Sequence, residues 1–394
     1  MQFVPPNFSK NVLRLFGEHG IPTALVSPTA TALTKSIIDA TEPFRDFLAA
    51  EGIHDFASQP QGEKRTLAAE YVTENGFVPT TISLYRPVTK KGDPRTCFYN
   101  LKAYARADDV LALVHVSNRL YIVNVSDPIL LGSLGDPSTP LGSVVAAANN
   151  FLSSTAIELL GKIKAISSQG PVRTVRSGDT GVGATLEYLL GIASNSKKTP
   201  DYHGIEIKAS RHNRKRAVAK NRVNLFSQVP QWNHPDSKPA REVLMEYGYP
   251  AEGRRQLYCT VDAIKPNSQG LMLHIDADAG QLKLLHHGSI TSSNVFSWQL
   301  AELRARLQQK HPESFWVKAD AGLVDGVECF HYHSIVHTIK PLAANLSPAI
   351  ANGTVTLDLT MSLSGSRIRD HGYLFKIWPG DLPMLFPIWK KYNL

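Results

Sequence analysis

The sequence predicts a mixed α/β chain of two domains, the first β-rich and the second built on a central sheet with interspersed helices. Three observations carry this. The chain is 394 residues long, more than one ordinary domain. Before residue 170, short apolar and β-branched runs alternate with turns rich in Gly, Pro, Asp and Asn. After it, such runs alternate with segments of helical apolar spacing.

In the first part, Ala32–Asp39 and Phe44–Ala50 read as helical. Thr80–Tyr85, Cys97–Leu101, Val110–Val116 and Leu120–Val125 read as the strands of a meander or small barrel. A helical stretch over about 142–166 places Val145, Ala148, Leu152, Ile157, Leu160 and Ile163 near one face. Ser167-Ser168-Gln169-Gly170-Pro171 breaks it and reads as a linker, giving domains 1–168 and 172–394. In the second part a helix follows the Gly-rich turn at Gly178. Strands follow at His203–Lys208, Val223–Ser227, Gln256–Ile264, Leu271–Asp276 and Leu282–His286. A helix over Ser293–Gln309 comes next, with Asn and Ser types at its start suited to capping. Strands near Ser314–Ala319, Glu328–Ile335, Val355–Leu363 and Tyr373–Ile377 complete the sheet.

Composition excludes several classes. The chain is 43% hydrophobic and 19% charged, with no apolar run approaching the ~18 residues of a membrane span. Its three cysteines (Cys97, Cys259, Cys329) are widely spaced and form no C-x-x-C pair, and the start has no basic-then-apolar leader. A cytoplasmic protein is expected, and a disulfide scaffold, a collagen and a disordered chain are excluded. Charge is unevenly shared. Residues 1–170 carry 15 Lys+Arg and 15 Asp+Glu, so the whole net +8 falls after residue 170, as a polyanionic partner would require. The neutral first part nevertheless hides a basic hairpin: residues 86–106 hold Arg86, Lys90, Lys91, Arg95, Lys102 and Arg106 against Asp93 alone.

Gly178-Asp-Thr-Gly-Val-Gly183-Ala184-Thr185 has the outline of an NTPase phosphate loop. It lacks the lysine that must reach the phosphates, since that position is Ala184, and Val172–Arg176 is too polar for the buried strand upstream. A tight turn opening a helix is the better reading. The stronger signal is Pro200-Asp201-Tyr202-His203-Gly204-Ile205-Glu206-Ile207-Lys208. In a strand, Ile205 and Ile207 face the core while Glu206 and Lys208 share the other face. Asp201 stands at the strand's mouth, and Glu187 reaches toward it from the preceding helix. Carboxylates at such a point suit Mg²⁺, a hard ion that prefers oxygen. An ammonium beside them can orient water or hold a charged phosphate. Directly after the strand comes Arg211-His-Asn-Arg214-Lys215-Arg216, placed to clamp a phosphate backbone.

With these residues in view, the chain resembles the MvaI/BcnI restriction endonucleases. Three ordered blocks carry the likeness: Gly178–Leu190, Pro200-Asp201 with Ile205–Lys208, and Asp370-His371-Gly372-Tyr373-Leu374-Phe375-Lys376-Ile377. Asn224–Ser227 and the segment around Trp298 fall in matching order, so the likeness spans about Arg176 to Leu394. It implies a MutH-like restriction-endonuclease fold, a monomer and Mg²⁺ as cofactor. The implied substrate is duplex DNA at a short pseudosymmetric site, CC(A/T)GG or CC(C/G)GG. It makes Glu187, Asp201, Glu206 and Lys208 catalytic, Asp201 and Glu206 metal ligands, and Arg369, His371 and Lys376 DNA contacts. Ala184 departs from a lysine found within the family, and Tyr373 and Lys376 stand where it has Thr and Arg. These departures leave the cutting chemistry intact and put the target bases in doubt, because Lys lacks the planar fork of Arg.

A two-domain layout within the family implies that residues 1–168 form a B3-like pseudobarrel, an effector domain that binds a second copy of the site through Arg86, Lys90, Lys91 and Arg95. A cognate DNA methyltransferase is then the functional partner in the host, and no membrane is involved. Two alternatives share these residues: a MutH-like strand-specific repair nickase, and a non-catalytic DNA-binding regulator. His331, His333 and His337 invite a zinc reading but have no acidic or cysteine partner at ligand spacing, so a surface or core role is expected. Trp298 and Trp316 read as core, Trp378 as core or interface, and the cysteines as structural.

Overall fold

A computed structural model describes residues 6–89, 91–148, 153–192, 199–212, 221–251, 253–288, 292–365 and 367–394. Among these, residues 23–124 supply one seven-stranded sheet. Its strands are β1 (Thr23–Val26), β2 (Ile38–Asp39), β3 (Lys64–Thr73), β4 (Gly76–Tyr85), β5 (Arg95–Phe98), β6 (Leu111–Val116) and β7 (Arg119–Asn124). They lie in the order β1-β6-β7-β3-β4-β5-β2. Ladders are antiparallel except between β3 and β7. Ser117 and Asn118 join β6 to β7 with φ of 51° and 62°, the left-handed pair that closes a two-residue hairpin without splaying its strands.

The helices α1 (Pro6–Glu18), α2 (Ala30–Lys35), α3 (Glu42–Ala50), α4 (Pro128–Gly132) and α5 (Pro140–Ala147) accompany this sheet. Val12 and Phe16 of α1 and Leu141, Val144 and Val145 of α5 share a buried core with Ala112, Val114 and Val123. The segment read as helical over 32–39 is α2 followed by β2. A left-handed Ser36 ends the helix, and Ile38 then pairs with Thr96.

The chain continues through α6 (Ser154–Ser167), β8 (Val172–Arg173), α7 (Gly181–Leu189), β9 (Ile205–His212), β10 (Val223–Ser227), α8 (Ala240–Tyr247), β11 (Tyr249–Ala251) and β12 (Arg254–Val261). Next come β13 (Leu271–Asp276), β14 (Gln281–His287), β15 (Ser292–Gln299), α9 (Leu300–Lys310), β16 (Glu313–Val324) and β17 (Val327–Ile339). It ends with α10 (Leu346–Ala351), β18 (Val355–Ser364), β19 (Arg367–Ile377) and β20 (Ile388–Asn393).

The helical stretch expected over 142–166 is two helices on two different cores. While α5 packs on the first sheet, α6 sends Ala156, Leu159, Ile163 and Ile166 into a cluster with Val182, Leu186, Ile205, Ile207, Phe315, Val317 and Phe330. Thus α6, which precedes the Ser-Gln-Gly-Pro break, is a wall of the sheet that carries Glu206. That sheet runs β20-β17-β16-β9, with β8 beside β17. The segment judged too polar for a buried strand makes only β8, two residues long and not buried, against Cys329 and Phe330.

Two compact units emerge. One contains residues 1–217, 309–342 and 383–394; the other contains 218–308 and 343–382. The second unit has a sheet ordered β10-β19-β18-β12-β11 and a three-stranded sheet β13-β14-β15. Trp298 is fully buried there, with its ring edge-on to Phe296 and Phe375, and its indole N–H donates to the Gln228 carbonyl. The helix expected from Ser293 begins only at Leu300. Residues 292–299 form β15 because their apolar and aromatic side chains fit a ladder with β14, Leu282 opposite Trp298 and Leu284 opposite Phe296. No helix among the described residues is long and apolar enough to cross a membrane.

Candidate active site

The Gly-rich turn owes its composition to packing. A Cβ on Gly181 would lie 2.3 Å from the Arg176 carbonyl oxygen, and Gly178 has φ of +88°. Thr185 turns inward to bond the Gly181 carbonyl at 2.8 Å and accepts the Val175 amide. The hydroxyl that a phosphate loop would offer to a metal is therefore used within the turn. The α7 helix that follows buries Leu186, while Leu189 is exposed.

Between α7 and β9, a tight turn places His203 at φ 45° and Gly204 at φ 96°, with Tyr202 bridged to Ile205. This fold-back brings Asp201 alongside β9, where its Oδ2 accepts the Ile207 amide at 3.1 Å. Ile205 and Ile207 enter the core, and Glu206 projects to the opposite face, where its side chain is wholly buried. The parallel partner β16 sets Ser314 opposite Glu206 and Trp316 opposite Lys208.

Glu206 is held by two ammoniums. Lys208 Nζ stands 2.6 Å from Oε1, and Lys310 Nζ stands 2.8 Å from Oε2. Lys310, the last residue of α9, also reaches 3.7 Å from Asp201 Oδ1 and donates to the Thr199 carbonyl at 3.1 Å. One cation thus touches both carboxylates. Sequence reasoning missed Lys310 because it lies about a hundred positions from Glu206 at the end of another helix. A lysine in the last turn of a helix is too common to signal anything by itself.

Electrostatics agree with the convergence. Burial pushes the Glu206 carboxyl above the usual carboxylate range; Lys208 and Lys310 pull it back while the Asp201 charge pushes it further up. Burial likewise raises Glu187, and the Asp201 charge adds to this against Lys208, Lys310 and Arg176. Glu187 therefore sits within electrostatic reach of the group. The arrangement has only oxygen donors, and Lys310 lies where a positive charge bridges Asp201 and Glu206. Asp201 and Glu206 offer the oxygen donors that a small hard divalent cation would take.

The remaining sequence-predicted residues scatter. Arg211, expected on the DNA backbone, bonds Glu328 and the Gly178 and Asp179 carbonyls and lies over the Phe330 ring. Arg86, expected at the hairpin tip, donates to the Gly92 and Gln59 carbonyls and staples that turn from within. Lys376 pairs with Asp358 at 2.8 Å, beside Arg222 on the same carboxylate. Those three guanidinium or ammonium groups are thus taken up by protein partners. Arg95 faces Asp39 at 3.8 Å, while Lys91, Arg369 and His371 are exposed. Lys90, Arg214, Lys215 and Arg216 lie outside the described residues. Tyr373 is fully buried among Trp232, Phe296 and Trp298, so the aromatic ring in the third block fills a core.

Comparison with solved structures finds this fold in a restriction endonuclease. The complex of MvaI with its cognate DNA substrate is similar at TM-score 0.53 and 24% identity, over 62% of this chain and 99% of that one. MvaI in the absence of DNA is similar at TM-score 0.38 and 22% identity, over the same shares. No curated protein matches the chain. The MvaI/BcnI restriction endonuclease family model matches residues 160–386, more than half of the sequence. The chain belongs to the MvaI/BcnI restriction endonuclease family.

Proposed function

We propose that the protein is a type II restriction endonuclease that hydrolyses duplex DNA at a short pseudosymmetric site, CC(A/T)GG, with Mg²⁺, and that it is effector-assisted (type IIE). The observation that carries this is the convergence of Asp201, Glu206, Lys208 and Lys310 at the mouth of β9 in a chain of this family. Asp201 and Glu206 are the proposed ligands of the ion, which supplies Lewis acidity and a more acidic bound water. Lys208, within reach of both Glu206 and open solvent, orients the attacking water and meets the charge that develops on the phosphate. Glu187, within electrostatic reach of the same group, is the further proposed catalytic carboxylate. Asp201 is fixed by the Ile207 amide, so its carboxylate meets the reacting centre in one orientation.

A chain with one such site cuts one strand per engagement, so a monomer nicks, turns about the pseudo-dyad and nicks again. Arg369 and His371, both exposed on β19, and the basic run Arg214-Lys215-Arg216 are the proposed DNA contacts. The proposed role of the N-terminal domain, read as B3-like, is to hold a second copy of the site through Lys90, Lys91 and Arg95. A cognate methyltransferase would protect the host's own sites.

Digesting a plasmid of known sequence with Mg²⁺ and mapping the ends tests this. Double-strand breaks at CC(A/T)GG are expected without any partner protein. Nicks alone would favour the repair-nickase reading. Lys208→Ala should lower cleavage about a thousandfold while leaving DNA binding in place; unchanged cleavage would sink the assignment.

A further inference from the structure

The sheet that carries Glu206 and Lys208 has a second cluster of metal-binding side chains further along the same strand. His212 ends β9, and the parallel register sets it directly opposite Asp320 of β16. On the other side of β16, a bulge between Lys318 and Ala319 shifts the ladder with β17, so that His333 falls between the partners of Lys318 and Ala319. His212 Nδ1 lies 3.2 Å from Asp320 Oδ1, and His333 Nε2 lies 3.8 Å from the same oxygen. The three candidate donor atoms lie within 4.8 Å of one another.

These separations have the size of a coordination shell. With ligand bonds of about 2.0–2.1 Å, two ligands on a tetrahedral ion are roughly 3.3 Å apart. Both Asp320 separations are close to that edge. Three donors on three adjacent hydrogen-bonded strands also need little rearrangement to close on an ion. The donor set, two imidazoles and one carboxylate, is that of borderline divalent transition ions and not of Mg²⁺, which takes oxygen. Half-exposed His212 leaves the fourth position open to water.

The cluster is separate from the carboxylate group at the mouth of β9. His212 is four residues beyond Lys208, about 13 Å along a strand. Between them, Lys318 donates to the Ser210 hydroxyl at 2.8 Å. We propose that His212, Asp320 and His333 form a second metal site, one that takes a zinc-type divalent ion and ties the end of β9 to β16 and β17. The site does not depend on the nuclease reading, since none of its ligands belongs to that machinery.

Full-length protein stripped with a chelator and dialysed against zinc sulfate tests it. The wild type should retain one zinc that Asp201→Asn also retains, and His212→Ala and His333→Gln should each weaken its retention at least ~10-fold. Replacing zinc by Co²⁺ should give the visible absorption of a nitrogen-ligated tetrahedral ion, lost in the same two variants. His212 is half-exposed at a strand end, so its variant keeps the fold, as an unchanged circular dichroism spectrum would verify. The proposal is overturned if wild type and His212→Ala bind equal zinc, or if Asp201→Asn abolishes the bound equivalent. It fails equally if the two histidines and Asp320 form only a metal-free ion pair, seen as no zinc retained by the wild type.

Discussion

At the residue scale, charge pairing decides which side chains act and which only hold. Lys310 touches both carboxylates of the candidate active site, and its charge opposes the upward push that burial gives Glu206. A carboxyl raised above its ordinary value takes up protons at higher pH, so cleavage that needs ionised Glu206 fails sooner on acidification. Lys310→Met should move the acid limb of the pH–rate profile to higher pH; a limb that stays in place would mean that Lys310 is not coupled to the reacting group. Asp358 behaves oppositely. Burial works against its charge, but Lys376, Thr260 and Arg222 overcome this and hold its carboxyl below the usual range. A depressed carboxylate contributes stability that is present above its unfolded value and lost as pH falls through its folded one. Asp358→Asn should therefore cost about 3 kcal/mol at neutral pH in urea denaturation, because it removes the counter-charge of two largely buried cations, Arg222 and Lys376.

At the element scale, α6 shows what local patterning hides. Its apolar stripe reads as one face of a helix, yet nothing in that stripe says which sheet it covers. Leu159 and Ile163 are wholly buried with Ile205, Phe315 and Phe330. Leaving such side chains without a partner costs roughly 2 kcal/mol each. A fragment starting at Val172 should therefore be unfolded by circular dichroism, while one starting at Ser153 folds cooperatively; equal folding of both would show α6 to be dispensable. The same scale explains the misread start of α9. Ser292–Gln299 offers good capping types and helical spacing, but the pairing of Phe296 and Trp298 with β14 outweighs them. In β9, by contrast, the alternation of Ile205 and Ile207 with Glu206 and Lys208 was fully legible, since a period of two leaves each side chain only one face.

At the scale of the whole molecule, the active-site sheet is assembled from distant segments. The chain leaves β9 at residue 212, builds much of the other compact unit, and returns at 313 to lay β16 parallel to it. It leaves again after β17 and comes back for β20. A parallel pair demands such a crossover, and here a folded unit serves as the connection. The N-terminal sheet makes a separate prediction for the intact enzyme. If it binds a second copy of the site, Lys90→Ala with Lys91→Ala should abolish the faster cutting of two-site DNA and leave one-site DNA unaffected. Equal loss on both substrates would defeat the effector role.

The sequence by itself determined the local chemistry: the acidic and basic side chains on one face of a short strand, the glycines of the turn before α7, and three blocks in family order. These depend on neighbours within a few residues, where period and backbone preference act directly. Only the tertiary structure decided that Lys310 joins Asp201 and Glu206, that Arg86, Arg211 and Lys376 are spent on protein partners, and that Asp320 supplies the carboxylate His333 lacked in the linear chain. Each of those contacts spans residues far apart in sequence or a choice between solvent and a buried partner. Charge and spacing cannot settle that choice until strands are in register.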